Sequence, residues 1–358
     1  MAWSRPAGDL PTAALAAACE WGGLGLWAGA GAGVELPGVV AGLGRLAGAC
    51  RALAPPWGAG AYWGWEPGAP VLGCEPRPDS PYSGPANLAA VLLGEPELRA
   101  RRQLDERLFW LHGPAALEKL RQLAGGPDPG PLESAGAGLV KLGGRCRGRR
   151  LGICLRLTPG AMALDLLVSL EGVEFLLPPG PAGGGDWAEH LGQRAAHNAL
   201  RVDLAEPAGG AVVLEALEAG EDRLFAAASY DGYQGLDDPV AIRRRVYADL
   251  KRGIVDVVDQ VQAQAEHLAE LFFRLPPGTG VDTLESGLLV LNGPAGRWLL
   301  RPEAKARVSL LLGRTQPALG WRALEPGRVE PAPVVRVQAL VRGAARLTTS
   351  LVLPQGEG

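Results

Sequence analysis

The longest periodic pattern of apolar residues in the chain runs from Pro239 to Leu275. Its apolar positions follow one another in steps of 3 or 4 residues, which places them on one face of a helix. Asp238 is a suitable N-cap residue, and Pro239 fits the first helical position. The Pro276-Pro277-Gly278 segment would end the helix. The pattern therefore predicts one long helix over residues 239–275, about 55 Å in length at roughly 1.5 Å per residue.

Short apolar or alternating segments after residue 139 predict strands. Most of the links between them are too short for a helical crossover, so the sheet is expected to be mainly antiparallel. The strand Val334–Val341 alternates apolar and polar residues, which is typical of a strand with one solvated face. Residues 186–201 are predicted as a helix. The other predicted strands are Leu151–Leu157, Leu164–Leu170, Val173–Leu177, Val212–Leu217, Leu224–Ser229, Leu288–Leu291, Trp298–Arg301, Arg307–Leu312 and Leu347–Leu353.

The first part of the chain differs in character, because it is rich in Gly, Ala and Trp. Helices are predicted there over Pro37–Leu53, Pro96–Leu111 and Pro114–Ala124. The predicted fold class is thus α+β. It has a helical Gly/Trp-rich region (1–124), a linker (125–138) and an antiparallel-sheet domain (139–358) with helices at 186–201 and 239–275. Segments 166–177 and 288–300 resemble each other, and both an internal repeat and chance similarity remain open.

Composition limits the classes of function. The net charge is −3 with a pI near 5.9, which gives no global argument for nucleic-acid or anionic-membrane binding. Lys occurs at only four positions, 119, 141, 251 and 305, while Arg is common, a bias typical of a GC-rich prokaryotic genome.

Cysteine usage and the N-terminal sequence favour a cytoplasmic protein. The five cysteines are widely spaced without a C-x-x-C pair, which favours reduced thiols over disulfides or a zinc site. The N-terminus has no basic region followed by an apolar segment, so no signal peptide is predicted. Trp21–Gly44 is the nearest approach to a membrane span, but its many glycines argue against one.

Common catalytic motifs are absent from the sequence, including the P-loop, H-E-x-x-H, G-x-S-x-G and the EF-hand loop. No cofactor, metal site or catalytic residue is predicted on this basis. An enzyme is therefore disfavoured, although the absence of a motif does not exclude one.

The sharpest local feature is a line of cations in the predicted helix 186–201. His190, Arg194, His197 and Arg201 are spaced by 4, 3 and 4 residues, so they would share one helix face. Such a face could hold a phosphate or carboxylate, and a histidine could move a proton near neutral pH. The alternative is an ordinary solvated helix face.

Three other segments are candidate binding surfaces. Tyr230, Asp231 and Tyr233 lie in a predicted loop before the long helix, where the alternative is a turn and helix cap. The basic segment Lys141–Arg150 could contact nucleic acid, but it also fits a solvated connector. A tryptophan-rich segment could form an interaction surface or fill a small core, and its candidate residues are Trp57, Tyr62, Trp63 and Trp65.

Three functional hypotheses follow from the sequence. The main one is a non-catalytic interaction or assembly subunit of a cytoplasmic complex that binds a protein partner or itself. The second is an enzyme or binding protein for an anionic small molecule, using the His190–Arg201 face. The third is a nucleic-acid-binding accessory protein acting through Lys141–Arg150, and no membrane association is expected.

Overall fold

The computed structural model divides into two compact units, Met1–Gly138 and Leu139–Gly358, and each is described by itself. No helix among the described residues is both long and apolar enough to span a membrane. The described residues are 18–19, 22–23, 36–53, 83–100, 106–125, 132–134, 138–171, 173–180, 186–283, 287–294, 296–303, 305–325 and 328–354.

Helices dominate the described part of the first unit. They are α1 (Pro37–Leu53), α2 (Ser83–Leu93) and α3 (Glu106–Gln122), with a 3-10 helix at Pro96–Leu98 and a short strand β1 (Leu132–Ser134). The prediction of α1 is confirmed with the same bounds. Within the predicted helix Pro96–Leu111, the described residues form a 3-10 turn at Pro96–Leu98 and the first turns of α3 from Glu106, and α3 is kinked at Gly113, which has φ 72° just before Pro114. Buried Leu88, Val91, Leu108, Ala116 and Leu120 form the core of this unit.

The second unit is built mainly from antiparallel strands. Four consecutive strands, β2 (Leu139–Cys146), β3 (Arg149–Arg156), β4 (Leu166–Leu170) and β5 (Val173–Leu176), pair in chain order. Helix α4 (Asp186–Gly192) and a 3-10 helix (Arg194–Ala196) follow. The remaining strands are β6 (Leu200–Val202), β7 (Val212–Ala219), β8 (Arg223–Tyr233), β9 (Val240–Asp249), β10 (Ile254–Arg274), β11 (Gly280–Thr283), β12 (Leu289–Gly293), β13 (Gly296–Arg301), β14 (Arg307–Leu311), β15 (Arg314–Thr315), β16 (Ala318–Leu319), β17 (Trp321–Glu325), β18 (Arg328–Pro331) and β19 (Val334–Val352).

The larger sheet is organised around β10 and β19, which pair along nearly their whole length. Its strand order is β11-β12-β13-β19-β10-β9-β8-β7, with β14 on β19 and β6 on β10. One apolar core joins both sheets: it includes Ile153 and Val168 of the smaller sheet and Val246, Val257 and Val337 of the larger one. The rings of Phe175 and Trp298 also meet edge to face, with centroids 4.9 Å apart. The two sheets therefore form a sandwich.

The predicted α+β class is wrong, because the described residues are 51% strand and 22% helical and their arrangement resembles a β-sandwich. The segment predicted as a long helix forms the antiparallel pair β9 and β10, which a turn at Gly253 (φ 64°) connects. Side chains of a strand alternate between its two faces, so residues four positions apart lie on the same face. The spacing of Ile242, Val246 and Leu250 therefore fits a strand as well as a helix. The abundance of β-branched Val and Ile then favours strands.

The predicted helix 186–201 is shorter in the structure. Gln193 is extended (φ −76°, ψ 154°), and so is His197 (φ −111°, ψ 159°), so only α4 and one 3-10 turn remain before β6. Predicted strands were more successful: Leu164–Leu170 and Val173–Leu177 form the β4–β5 hairpin. The predicted Val334–Val341 and Leu347–Leu353 strands are two parts of the single strand β19.

Candidate functional site

A buried aspartate–histidine pair lies where the loop before β4 meets the segment after the 3-10 helix. Asp165 directly precedes β4 and follows a tight turn in which Leu164 adopts φ 59°. The Nδ1 atom of His197 lies 3.1 Å from Oδ2 of Asp165. The backbone N–H of Asn198 donates to Oδ1 of the same carboxylate at 2.8 Å. One carboxylate therefore fixes the orientation of the imidazole ring and of the chain after it.

The charge states of this pair follow from its surroundings. Burial raises the pKa of Asp165, but the hydrogen bond from His197, the nearby Arg156 and the Asn198 N–H outweigh burial and lower it to about 2. Burial lowers the pKa of His197, and the positive charges of Arg156 and Arg194 add to that effect against the opposing pull of Asp165. The pair is thus an ionised carboxylate and a neutral imidazole at neutral pH, with Nδ1–H donated to Asp165.

A buried ion pair on the larger sheet supports this aspartate–histidine dyad. Arg244 of β9 and Asp259 of β10 are direct cross-strand partners, and their side chains are both 1% exposed. Their two hydrogen bonds measure 2.8 and 2.9 Å, a bidentate arrangement. Arg244 also donates to the backbone carbonyls of Leu164 and Asn198. It therefore holds in place both segments that carry the dyad.

Asn198 connects the same site to the ends of two strands. Its side-chain amide donates to the Leu177 carbonyl at 3.0 Å, and its carbonyl oxygen accepts the Arg274 N–H at 2.6 Å. The segment that carries His197 is consequently attached to both sheets of the sandwich.

The four residues predicted as one cationic helix face are separated in the structure. Arg194 is fully buried and donates to the backbone carbonyls of Leu200 (2.9 Å) and Ala161 (3.1 Å). Arg201 lies on β6 and forms two hydrogen bonds with buried Glu270. His190 remains on α4, half-buried near Trp187. The prediction that these residues share one helix face is wrong, whereas an anion-binding role for them stays a prediction.

The predicted loop of Tyr230, Asp231 and Tyr233 is part of strand β8 instead. Both tyrosine rings are buried, and the Arg194 guanidinium lies 5.5 Å from the centre of the Tyr230 ring. The Tyr230 hydroxyl donates to the Gly209 carbonyl and accepts the Gly160 N–H at 3.1 Å. Tyr230 therefore helps to hold the loop before Asp165 in place, and neither tyrosine is open to solvent.

The remaining predicted sites have different outcomes. The Lys141–Arg150 segment forms the β2–β3 hairpin and not a connector, with Lys141 1% exposed on β2 and with Arg145 and Arg147 exposed near the turn. At its turn, Arg147 donates to the backbone carbonyls of Lys251 and Arg252. The candidate interaction residues Trp57, Tyr62, Trp63 and Trp65 lie outside the described residues. Within the described ranges, no group of three His, Cys, Asp or Glu side chains is suited to a metal ion.

The sequence patterns missed Asp165, Arg244 and Asp259. Asp165 has no local signal, since its partner His197 is 32 positions away in the chain. The Arg244–Asp259 pair has a weak signal: Arg244 is the middle one of three consecutive arginines, Asp259 is a charge within an apolar segment, and both lie at equal distances from the centre of the turn between Lys251 and Arg252.

A second histidine is held between two carboxylates at an irregularity in β10. Nδ1 of His267 lies 2.6 Å from Asp203, and Nε2 lies 2.9 Å from Asp238. Asp238 also accepts the backbone N–H groups of Gln264 and Ala265, where the β10–β19 register shifts. Although burial lowers the pKa of His267, these two carboxylates outweigh burial and raise it. The imidazolium thus connects three segments of the second unit.

Replacing His267 with glutamine is expected to destabilise the protein in a pH-dependent way. Because the pKa of His267 is raised in the folded state, its stabilising effect is complete below the ordinary histidine pKa of 6.5. That effect disappears as the pH rises through the higher folded pKa. The difference in melting temperature between the wild type and His267→Gln should therefore be largest in mild acid and shrink in alkali. An equal difference at every pH would contradict a charged His267.

The chain has relatives of similar fold among solved structures. The heparan sulfate lyase HepC from Pedobacter heparinus superposes with a TM-score of 0.66 at 12% identity, covering 98% of this chain and 53% of that chain. Heparinase III gives a TM-score of 0.63 at 14% identity, covering 89% of this chain and 49% of that one. This chain therefore spans about half of the length of these structures. At such identities the likeness shows the fold alone.

Sequence comparison gives a more specific result. Residues 163–351 match the model of a family described as Heparinase II/III-like, C-terminal, which is more than half of the chain and includes Asp165 and His197. No curated protein matches the chain.

The family match overturns the main functional prediction, a non-catalytic assembly subunit defined by protein–protein contacts. It fits the second hypothesis better, an enzyme or binding protein for an anionic ligand. The cytoplasmic location and self-association stay predictions. The chain belongs to the Heparinase II/III-like, C-terminal family.

Proposed function

We propose that this chain, whose second unit is a β-sandwich, is a polysaccharide lyase-like protein that binds an acidic, uronate-containing polysaccharide. The observation that carries the proposal is the family match over residues 163–351, which covers most of the sandwich and includes the Asp165–His197 pair. The fold similarity to a heparan sulfate lyase adds support for an acidic ligand. Arginine is abundant among the basic residues, and its planar guanidinium suits carboxylate and sulfate groups.

Binding is tested by titrating the full chain with heparan sulfate fragments and, in parallel, with neutral dextran of similar length. The proposal predicts saturable binding to the acidic fragments, weakened by added salt because exposed charge contacts are screened. Neutral dextran should not bind. Equal affinity for both polymers, or no affinity for the acidic one, would contradict the proposal.

Cleavage of the bound polysaccharide is the second candidate function, and the Asp165–His197 pair favours it. Eliminative cleavage removes the proton from the carbon next to the uronate carboxylate and breaks the C–O bond at the following carbon. A C=C bond forms between these two carbons, and the departing oxygen takes up a proton. A neutral imidazole whose tautomer is fixed by a carboxylate is suited to accept such a proton. However, only 4% of the His197 side chain is exposed, which makes binding the better supported of the two functions.

Cleavage is detected by the ultraviolet absorbance of unsaturated uronate products after incubation with heparan sulfate. If His197 accepts the proton, His197→Gln should lower this rate by about 100-fold or more without abolishing binding. The wild-type rate should fall as the pH drops below the lowered pKa of His197. Equal product formation by wild type and variant would exclude His197 as the base.

A further inference from the structure

The edge of β19 is open in the middle of the larger sheet. On the side away from β10, β14 pairs with residues 334–338 of β19, and β13 pairs with residues 350–352. No described strand pairs with this side of β19 between Ala339 and Thr349. The Glu303 carboxylate accepts the Thr348 N–H at 3.4 Å across part of this gap. Backbone polar groups at an unpaired strand edge are available to a ligand.

A pocket with a volume of about 700 Å³ occupies this gap. Its charged lining residues are Glu303, Lys305, Arg307 and Arg346, so cations outnumber carboxylates by three to one. Lys305, Arg307 and Arg346 are exposed and form no ion pair with any residue in the described part of the chain. The pocket lining therefore has a net positive charge.

The pocket also has an apolar wall. Leu268 of β10 and Leu340 of β19 are cross-strand partners, and both line it. Leu340 is 68% exposed, an unusual degree for a large apolar side chain on a central strand. Apolar side chains, a few polar groups and a concave surface are the usual components of a ligand site.

We propose that this pocket binds the carboxylated sugar units of an acidic polysaccharide. The cations Lys305, Arg307 and Arg346 pair with the carboxylates, the open β19 edge hydrogen-bonds to hydroxyl groups, and Leu268 and Leu340 contact the C–H face of a sugar ring. This site is separate from the Asp165–His197 pair, because neither residue lines the pocket. The proposal rests on the proposed function for its ligand class and adds a location on the second unit.

The test uses the full chain and a heparan sulfate tetrasaccharide as the probe, with affinity measured by calorimetry. Arg307→Ala and Arg346→Ala are each expected to weaken binding about tenfold, because each removes a charge-assisted contact with a carboxylate. The matched control is Arg297→Ala, which removes an exposed arginine from β13 outside the pocket. The control should bind like the wild type. Melting temperatures of all variants are compared with that of the wild type to confirm folding.

Two failures can be told apart in this experiment. If the wild type binds and both pocket variants bind as tightly as the wild type, the polysaccharide does not bind in this pocket, while the proposed function stands. If the wild type does not bind the tetrasaccharide, the proposed function fails and the pocket loses its ligand. A tenfold loss confined to Arg307→Ala and Arg346→Ala supports both.

Discussion

Replacing Asp259 with alanine is expected to lower the free energy of unfolding by about 3–5 kcal/mol. The change leaves the Arg244 guanidinium buried without its bidentate carboxylate, at a position where both side chains are 1% exposed. The cost comes mainly from the unpaired buried charge and not from the lost contact itself. Chemical denaturation of the wild type and of Asp259→Ala measures the difference.

The matched control for this experiment is Glu215→Ala. Glu215 pairs with Arg243, the neighbour of Arg244 on the same strand, but that pair is exposed, with 40% of the Arg243 side chain accessible. The control should therefore cost at most about 1 kcal/mol. If both variants lose the same small amount of stability, the Arg244–Asp259 pair does not support the dyad as described.

Replacing Asp165 with asparagine is expected to cost about 2–4 kcal/mol at neutral pH. The carboxylate orients His197, accepts the Asn198 N–H and lies 3.8 Å from Nε of Arg156, and the amide cannot satisfy all three. The fall of its pKa from 3.8 to about 2 corresponds by itself to about 2 kcal/mol. Because the folded pKa is lowered, this stabilisation is present above pH 3.8 and is lost as the pH falls towards about 2.

Unfolding curves measured at several pH values test this second prediction. The stability difference between the wild type and Asp165→Asn should be constant near neutrality and shrink as the pH is lowered through 3.8. Asp222→Asn is a suitable control, because that carboxylate is 58% exposed in its pair with Lys251. A difference that persists undiminished in acid would mean that Asp165 is not ionised in the folded protein.

Local patterns in the sequence predicted individual strands better than they predicted the fold class. The β4–β5 hairpin and the alternating part of β19 are defined by neighbouring residues, so the pattern alone was enough. The sequence did not predict the β9–β10 pair, because a core position of β9 carries Arg244, which interrupts the alternation of apolar residues. Only the partner Asp259, supplied by the next strand, explains that charge. The spacing of apolar residues along the sequence does not reveal a tertiary pairing of this kind.

The candidate site was partly visible in the sequence. His197 was singled out for its spacing from other cations, but its actual partner Asp165 comes from a distant loop. Tyr230 and Tyr233 were predicted as an open loop, although their burial near Arg194 depends on how β8 packs. Polar residues that meet through the fold, and not through local spacing, could not be assigned from one sequence.

Acidic-polysaccharide binding is tested most directly by a calorimetric titration of the full chain with uronate oligosaccharides before and after chemical reduction of their carboxyl groups. The carboxylated oligosaccharide should bind, and its carboxyl-reduced counterpart of equal length should bind at least about tenfold more weakly. Equal binding of the two, or no binding of either, would contradict the claim that this member of the family recognises an acidic polysaccharide.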